Sequence, residues 1–207
     1  MPSAWLSVTL DDYEGHMGPA GVQQLDALSD LFAEALAYTQ PESVAILGIA
    51  GGNGLDRIDP AITKRTVGFD VNPSYLDAVP KRYPNFRGLE LHCCDLATEP
   101  VNAAPVALVH AAVIFEHAGL GQCLINACDL TVPGGALGVV LQLPGDFHAP
   151  IGDTPFPSIR SLQHDFALID PRELTTLLNA RAYHLELETR RALSGGKAFW
   201  MGLFRRS

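Results

Sequence analysis

The sequence alternates between short apolar segments and segments with helical spacing, and this alternation restricts the possible folds more than any other feature. Apolar runs that predict strands occupy residues 44–49, 66–70, 88–94, 105–112 and 137–143. Helical spacing or capping signals predict helices over residues 19–38, 72–82 and 120–130. Alternating strands and helices form right-handed βαβ units, whose parallel strands have helices packed on both faces of one sheet. The expected class is a doubly wound α/β protein.

The end of the chain departs from this alternation. After a helix start at residues 170–173, two extended segments follow each other at residues 183–192 and 198–205, separated by a short turn that contains Gly195 and Gly196. Consecutive strands joined in this way form a hairpin, so the last strand is expected to lie antiparallel to its neighbours. The predicted sheet is therefore seven-stranded and mostly parallel, with an antiparallel C-terminal hairpin strand.

The first two predicted strands end in residue types that suit a nucleotide. Strand one runs into Ala50-Gly51-Gly52-Asn53-Gly54, and strand two ends at Asp70. Small residues let a backbone bend approach a ligand closely, and an acid at the end of the second strand can accept hydrogen bonds from both ribose hydroxyls of an adenosine. A glycine-rich bend alone is equally typical of a tight turn. The bend and the acid together predict an adenosine-binding crevice.

With these motifs the sequence resembles the class I S-adenosylmethionine-dependent methyltransferases over nearly its whole length. The segments that carry the resemblance are the glycine bend at residues 47–54, the acidic strand end at 69–72, the third-strand acid at 94–96, the fourth-strand segment at 109–117 and the turn at 131–137. The terminal hairpin agrees as well, because the family adds an antiparallel seventh strand. The fold implied is the Rossmann-like methyltransferase fold.

The resemblance implies a cofactor, an activity and a set of contacts. The cofactor is S-adenosylmethionine, and the activity is methyl transfer by in-line displacement. Asp70 is expected on the ribose and Asp95 on the adenine amino group. The full set of expected cofactor contacts is Gly48, Ala50, Gly52, Gly54, Asp70, Val71, Asn72, Asp95, Leu96, Ala111 and Phe115.

Two positions depart from the family pattern. Gly48 stands where the family usually has an acid that contacts the methionine amino group, and Ala50 replaces the first glycine of the bend. A positive φ at Ala50 would be strained. The acids near the N-terminus, Asp11, Asp12 and Glu14, are candidates to replace the missing carboxylate, the alternative being that each is a solvated charge.

Histidines are the candidate catalytic residues, because a proton acceptor near neutral pH is all that such a reaction requires beyond positioning. His16 precedes the N-terminal helix, where family members often fold a lid, and His117 follows strand four. His148 lies after strand five, in the region that usually shapes the acceptor pocket. A packed or exposed histidine is the alternative interpretation of each. No histidine pair has metal-ligand spacing such as HxxxH, so no metal is expected.

Charge and composition favour a small-molecule acceptor. A formal net charge of −9 opposes binding to nucleic acid. No apolar run approaches the roughly 18–20 residues of a membrane span, so no membrane partner is expected. Four cysteines without a disulfide or CxxC pattern favour a cytoplasmic location. The sequence carries no signal for an oligomeric state.

The 207 residues fit a single methyltransferase-like domain. Residues 1–40 are expected to form an N-terminal lid and helix, residues 44–143 the cofactor-binding core, and residues 145–207 an acceptor-side flap, a helix and the hairpin. The flap is expected to be irregular over residues 145–165. Two alternatives stay open. One is a noncatalytic S-adenosylmethionine or nucleotide-binding module of the same fold. The other, less favoured, is an NAD-dependent oxidoreductase, which would prefer a GxGxxG register and lack the hairpin.

Overall fold

The computed structural model describes residues 3–18, 22–145, 154–164, 166–193 and 196–207. Within these residues the strands are β1 (Ser43–Leu47), β2 (Arg65–Asp70), β3 (Leu89–Cys93), β4 (Val106–Ala112), β5 (Thr131–Leu143), β6 (Tyr183–Ala192) and β7 (Ala198–Arg206). The α-helices are α1 (Leu10–Met17), α2 (Leu25–Thr39), α3 (Pro73–Arg82), α4 (Phe115–Ala118), α5 (Gln122–Leu130) and α6 (Pro171–Asn179). Short 3-10 helices occupy Ala4–Ser7, Leu55–Arg57 and Pro157–His164.

The strands form one sheet in the order β3-β2-β1-β4-β5-β7-β6. Strands β1 to β5 pair in parallel, whereas β7 is antiparallel to both of its neighbours, β5 and β6. The prediction of a doubly wound, mostly parallel sheet with an antiparallel C-terminal hairpin strand is confirmed. Because the strand order reverses between β1 and β4, the carboxyl ends of these strands border a crevice in which open α/β sheets bind ligands.

Helices cover both faces of this sheet, and the side chains of β1 alternate between the two resulting cores. Ala45 and Leu47 pack with Leu124 of α5 and Leu174 of α6. On the opposite face, a second core contains Val44 and Ile46 together with Leu31, Phe32, Leu76 and Val79 of α2 and α3. Burial on both faces explains why this strand is apolar at every position after Ser43 rather than at alternate ones.

The N-terminal region differs from the prediction of one helix over residues 19–38. Helix α2 begins only at Leu25, because Gln23 has a left-handed backbone with φ +55°. Val22, which had the spacing of a helical residue, instead donates its N–H to the carbonyl of His16. Helix α1 was not predicted, since its sequence LDDYEGHM lacks an apolar stripe. Its start is set by Thr9, whose hydroxyl accepts the N–H of Asp12.

Two strand boundaries and the predicted flap also differ. Strand β1 ends at Leu47 because Gly48 has φ +75°. Strand β5 begins at Thr131 rather than at residue 137, with an irregular register where it first pairs with β4. Within the predicted irregular flap at residues 145–165, the 3-10 helix Pro157–His164 is regular structure. Residues 146–153 and 165, including His148, lie outside the described residues.

Candidate functional site

A cavity follows the carboxyl edge of the sheet from β3 to β7. It contains about 1150 Å³ of empty space, counting its open mouth. Its walls come from residues that follow successive strands: Gly48 after β1, Asp70 and Val71 at the end of β2, Cys94 to Ala97 after β3, Ala112 to Ile114 at the end of β4, and Gln142 near the end of β5, with Lys197 just before β7. The ends of six strands therefore border one cavity, at the edge where open α/β sheets bind ligands.

The glycine bend borders this cavity beside β1, where Gly48 and Ala50 belong to the lining. Positive φ angles occur at Gly48 (+75°), Ala50 (+46°), Gly52 (+92°) and Gly54 (+86°). The N–H groups of Gly48 and Ile49 both donate to the carbonyl of Phe69, which holds the bend against β2. The chain therefore turns through repeated left-handed conformations, and only Ala50 does so with a β-carbon.

Asp70 points at this bend. Its Oδ2 accepts the N–H of Ala50 at 2.9 Å, and its Oδ1 accepts the N–H of Asn72 at 2.9 Å. The side chain is buried, and burial raises the pKa of Asp70 to about 6 although these hydrogen bonds act in the opposite direction. Each oxygen of an ionised carboxylate has about two acceptor positions, so both oxygens can accept a further hydrogen bond from a ligand.

Tyr75 adds a polar group that the sequence did not indicate. Its ring lies on α3, 1% exposed, beside the ring of Tyr13 at 6.1 Å between centroids. Its hydroxyl has no hydrogen-bond partner among the described residues, and the residue lines the cavity. An unsatisfied buried hydroxyl costs about 1–3 kcal/mol, which marks this atom as a position for a ligand contact. Spacing alone assigns Tyr75 to the apolar face of a helix.

Six of the expected cofactor contacts line the cavity: Gly48, Ala50, Asp70, Val71, Asp95 and Leu96. Asp95 stands at the β3 end, where its Oδ1 accepts the N–H of Ala97 at 3.0 Å. Leu96, which is buried, forms the adjoining apolar wall. The structure therefore brings the acid of β2, the acid after β3 and the glycine bend to one cavity.

The other five expected contacts lie outside the cavity lining. A β-carbon on Gly52 would lie 2.8 Å from the ring of Tyr83, and one on Gly54 would lie 2.9 Å from Phe32, so both glycines serve close packing as well as the bend. Ala111 and Phe115 are buried in a core cluster, and Asn72 caps α3. Whether any of the eleven residues touches a cofactor stays a prediction.

Asn72 connects the N-terminal segment to the site. Its Oδ1 accepts the N–H of Ser74, while its Nδ2 donates to the carbonyls of Trp5 at 2.9 Å and Val8 at 3.1 Å. The segment is also held from the other side, because Asp12 Oδ2 accepts the hydroxyl of Ser158 at 2.6 Å. We refer to residues 3–17 as the N-terminal lid, since Trp5, Tyr13, His16 and Met17 line the cavity.

The two predicted catalytic histidines both line the cavity but differ in character. His16, on the lid, is buried, and its Nδ1 lies 3.0 Å from the hydroxyl of Thr154. Burial and the charge of Lys197 lower the pKa of His16. His117 is packed edge-on between the rings of Trp5 and Phe166, and burial lowers its pKa to about 4. A base with so low a pKa is weak at neutral pH, which argues against His117 as the proton acceptor.

None of the acids considered as replacements at Gly48 lines the cavity. Glu14 forms an ion pair with Arg82 across the glycine bend, with Nη2 to Oε2 at 2.9 Å. Asp12 bonds to Ser158, and Asp11 is exposed. On the described part of the lining, Asp70 and Asp95 are the only carboxylates. A side chain at Gly48 itself would combine a left-handed backbone with a contact of 3.1 Å to Ile114, which explains the glycine.

Solved structures share this fold. No protein-family model and no curated relative matches the sequence. Magnesium protoporphyrin IX methyltransferase (ChlM) from Synechocystis PCC 6803, with bound S-adenosylmethionine, superposes with a TM-score of 0.70 at 10% identity, over 98% of this chain and 93% of that chain. The CcbJ methyltransferase from Streptomyces caelestis gives 0.69 at 14% identity, over 100% and 99%. The [4+2]-cyclase SpnF gives 0.65 at 12% identity, over 87% and 80%.

These likenesses identify the class of fold. A seven-stranded doubly wound sheet with an antiparallel seventh strand, matched over nearly the full length of two methyltransferases, is the class I methyltransferase fold. This chain has that fold. Because SpnF, described as a cyclase, shares it, the fold leaves the reaction to be argued from the site.

Proposed function

We propose that this protein binds S-adenosylmethionine in the cavity and transfers its methyl group to a small-molecule acceptor. The observation that carries the proposal is the carboxylate of Asp70, held against the backbone of Ala50 in the cavity at the carboxyl edge of the sheet. ChlM and CcbJ, which match this chain over nearly their full lengths, are methyltransferases with the same fold, and the ChlM structure contains S-adenosylmethionine.

The residues present fit the chemistry of this cofactor. Asp70 offers acceptor positions to the two ribose hydroxyls, and the orphaned hydroxyl of Tyr75 offers a further polar contact. Asp95 and Leu96, on the same cavity lining, offer an adenine a hydrogen-bond acceptor and an apolar wall. When bound, the cofactor would supply a methyl group activated by its sulfonium, which an acceptor atom would attack in line as the S–CH3 bond breaks and S-adenosylhomocysteine leaves. The chain's own contribution is to orient both molecules and to exclude water beneath the N-terminal lid.

His16 is the proposed proton acceptor when the acceptor atom carries a proton. Its lowered pKa keeps the imidazole uncharged near neutral pH, which is the form that takes up a proton. We expect His16→Ala to lower kcat by about 10²-fold or more, while the Kd for S-adenosylhomocysteine changes by less than about twofold. His184→Ala, which removes an exposed histidine on β6, is the matched control. Equal kcat in the two variants would contradict the role of His16.

Two binding titrations and a product screen test the proposed function. Calorimetry with S-adenosylmethionine is expected to give a one-to-one complex, whereas NADH is expected not to bind. Incubation with a panel of small-molecule acceptors is then expected to release S-adenosylhomocysteine. Cofactor binding without any methylated product would favour a noncatalytic module, and binding of NADH alone would favour an oxidoreductase. No binding of S-adenosylmethionine would refute the proposal.

A further inference from the structure

On the part of the cavity lining that the structure describes, the charged residues are separated along the sheet edge. The carboxylates Asp70 and Asp95 belong to the β2 and β3 end, whereas Lys197 stands immediately before β7. Strands β1, β4 and β5 lie between these two ends. Neighbouring strands are about 4.8 Å apart, so the acidic and basic ends are several strand widths from each other. On the described part of the lining, Lys197 is the sole lysine or arginine.

Buried polar side chains accompany Lys197 in this end of the cavity. Lys197 is 9% exposed, His16 7%, Gln142 4% and Gln24 4%, and all four line the cavity. They come from the β6–β7 turn, α1, β5 and the residue before α2, so the folded chain assembles them. The charge of Lys197 acts on His16, whose pKa it lowers together with burial. The candidate proton acceptor and the cation therefore face the same space.

The register of the sheet separates Lys197 from the glycine bend. Leu47, the last residue of β1, is level with Val139 of β5 through Ala111 of β4. Ala198 pairs with Leu143, four residues further along β5. At about 3.3 Å per residue, the start of β7 lies roughly 13 Å beyond the end of β1 in the strand direction, and three strands to the side. This position suits a molecule bound beyond the cofactor.

We propose that Lys197 receives an anionic group, a carboxylate or a phosphate, of the methyl acceptor. The inference rests on the proposed function and specifies its substrate class: a small organic acid, with the methylated atom near His16 and the anionic group at the β7 end of the cavity. Lys197 acts here as a residue that determines specificity. The ammonium supplies a charge-assisted hydrogen bond, which an uncharged analogue of the acceptor would not match.

Fragment binding to the protein saturated with S-adenosylhomocysteine tests this assignment. Benzoate and phenyl phosphate serve as anionic probes and benzamide as the uncharged one. We expect the wild type to bind at least one anion about tenfold or more tightly than benzamide, since hydrogen bonds to charged groups are the strong ones. Lys197→Met removes the charge and is expected to abolish this preference, whereas Lys197→Arg keeps it. Thermal unfolding of both variants verifies that they fold.

Cofactor probes distinguish failure of the inference from failure of the proposed function. S-adenosylhomocysteine carries a carboxylate, and 5′-methylthioadenosine lacks it. Both are expected to bind Lys197→Met as tightly as they bind the wild type. If S-adenosylhomocysteine alone binds more weakly to Lys197→Met, the anion belongs to the cofactor and the acceptor assignment is overturned. A missing anion preference in the wild type, or one that survives Lys197→Met, also overturns it. If neither adenosine compound binds the wild type, the proposed function fails and the inference with it.

Discussion

At the scale of single residues, Ala50 shows how the site constrains the backbone. Its φ of +46° is left-handed, which costs a residue with a β-carbon roughly 1–2 kcal/mol. The conformation is retained because the N–H of Ala50 must point at the carboxylate of Asp70, 2.9 Å away. The sequence analysis expected strain if Ala50 had a positive φ, and the folded bend contains this strain.

Ala50→Gly is predicted to stabilise the protein. Glycine adopts a left-handed φ without strain, and the gain exceeds the entropy that glycine adds to the unfolded chain, so the free energy of unfolding should rise by about 0.5–1 kcal/mol. Urea unfolding measures the change. Ala45→Gly, in the extended and fully buried interior of β1, is the control and should lower stability. A loss of stability in both variants would contradict the strain at Ala50.

A residue of the cavity could be predicted from the sequence only where a local sequence pattern marked it. Asp70 was predictable, because an acid directly after an apolar strand and next to a glycine bend is a local pattern that a parallel sheet brings together. Tyr75 and Lys197 were not. Tyr75 occupies an apolar helical position, and Lys197 sits in a hairpin turn, so each reaches the cavity only through long-range packing. Sequence spacing carries no record of such contacts.

At the scale of elements, one side chain in the turn that follows β2 helps to hold the N-terminal lid. Asn72 caps α3 through Oδ1 and holds the lid through Nδ2. The two functions use different atoms, so a substitution can separate them. Helix α1 of the lid was not predicted, because it lacks an apolar stripe. Its stability comes from these tertiary contacts and from the hydrogen bond that Ser158 donates to Asp12.

Asn72→Ser is predicted to release the lid while leaving α3 capped. Serine caps helices about as well as asparagine but is too short to reach the carbonyls of Trp5 and Val8. Two lost hydrogen bonds, at about 0.5–1.5 kcal/mol each, should accelerate amide hydrogen exchange in α1 by about an order of magnitude. Exchange in α3 provides the internal control and should stay the same. Unchanged exchange in α1 would show that Asn72 does not hold the lid.

At the scale of the whole molecule, the fold was more predictable than the site. The mostly parallel sheet and its antiparallel hairpin follow from apolar runs and turn signals, which are properties of the sequence itself. The division into lid, core and acceptor side remains a prediction. Among the described residues no helix combines the length and apolar character that a membrane span requires. The packing of buried charges, by contrast, could be seen only in three dimensions.

Glu116 is the clearest such case and predicts a pH effect on stability. Its Oε1 accepts the N–H of Gln142 at 2.7 Å beyond the end of β4, while Oε2 has no partner among the described residues. Burial raises its pKa to about 7, above the roughly 4.3 of an unfolded chain. The folded state then holds the proton more tightly, so the contribution of Glu116 is fully present at low pH and is lost as pH rises through about 7.

Glu116→Gln keeps the acceptor for Gln142 and removes the charge. We expect its stability relative to the wild type to increase with pH between about 4 and 7 and then to level off, by a few kcal/mol at most. Urea unfolding of both proteins across this pH range measures the difference in their free energies of unfolding. The histidines contribute equally to both proteins, so their contributions cancel in this difference. Glu173→Gln, at an exposed position of α6, should show no such slope. A difference that is flat with pH would contradict the buried, proton-retaining Glu116.

Calorimetric titration of S-adenosylhomocysteine into the wild type, Asp70→Ala and Asp77→Ala tests the central claim most directly. Asp77 is an exposed residue of α3, so its substitution controls for loss of one negative charge. Loss of hydrogen bonds to a carboxylate, about 1.5–3 kcal/mol, should weaken binding to Asp70→Ala by about tenfold or more, with Asp77→Ala unchanged. Equal affinity in all three proteins would contradict an adenosine held between Asp70 and the glycine bend.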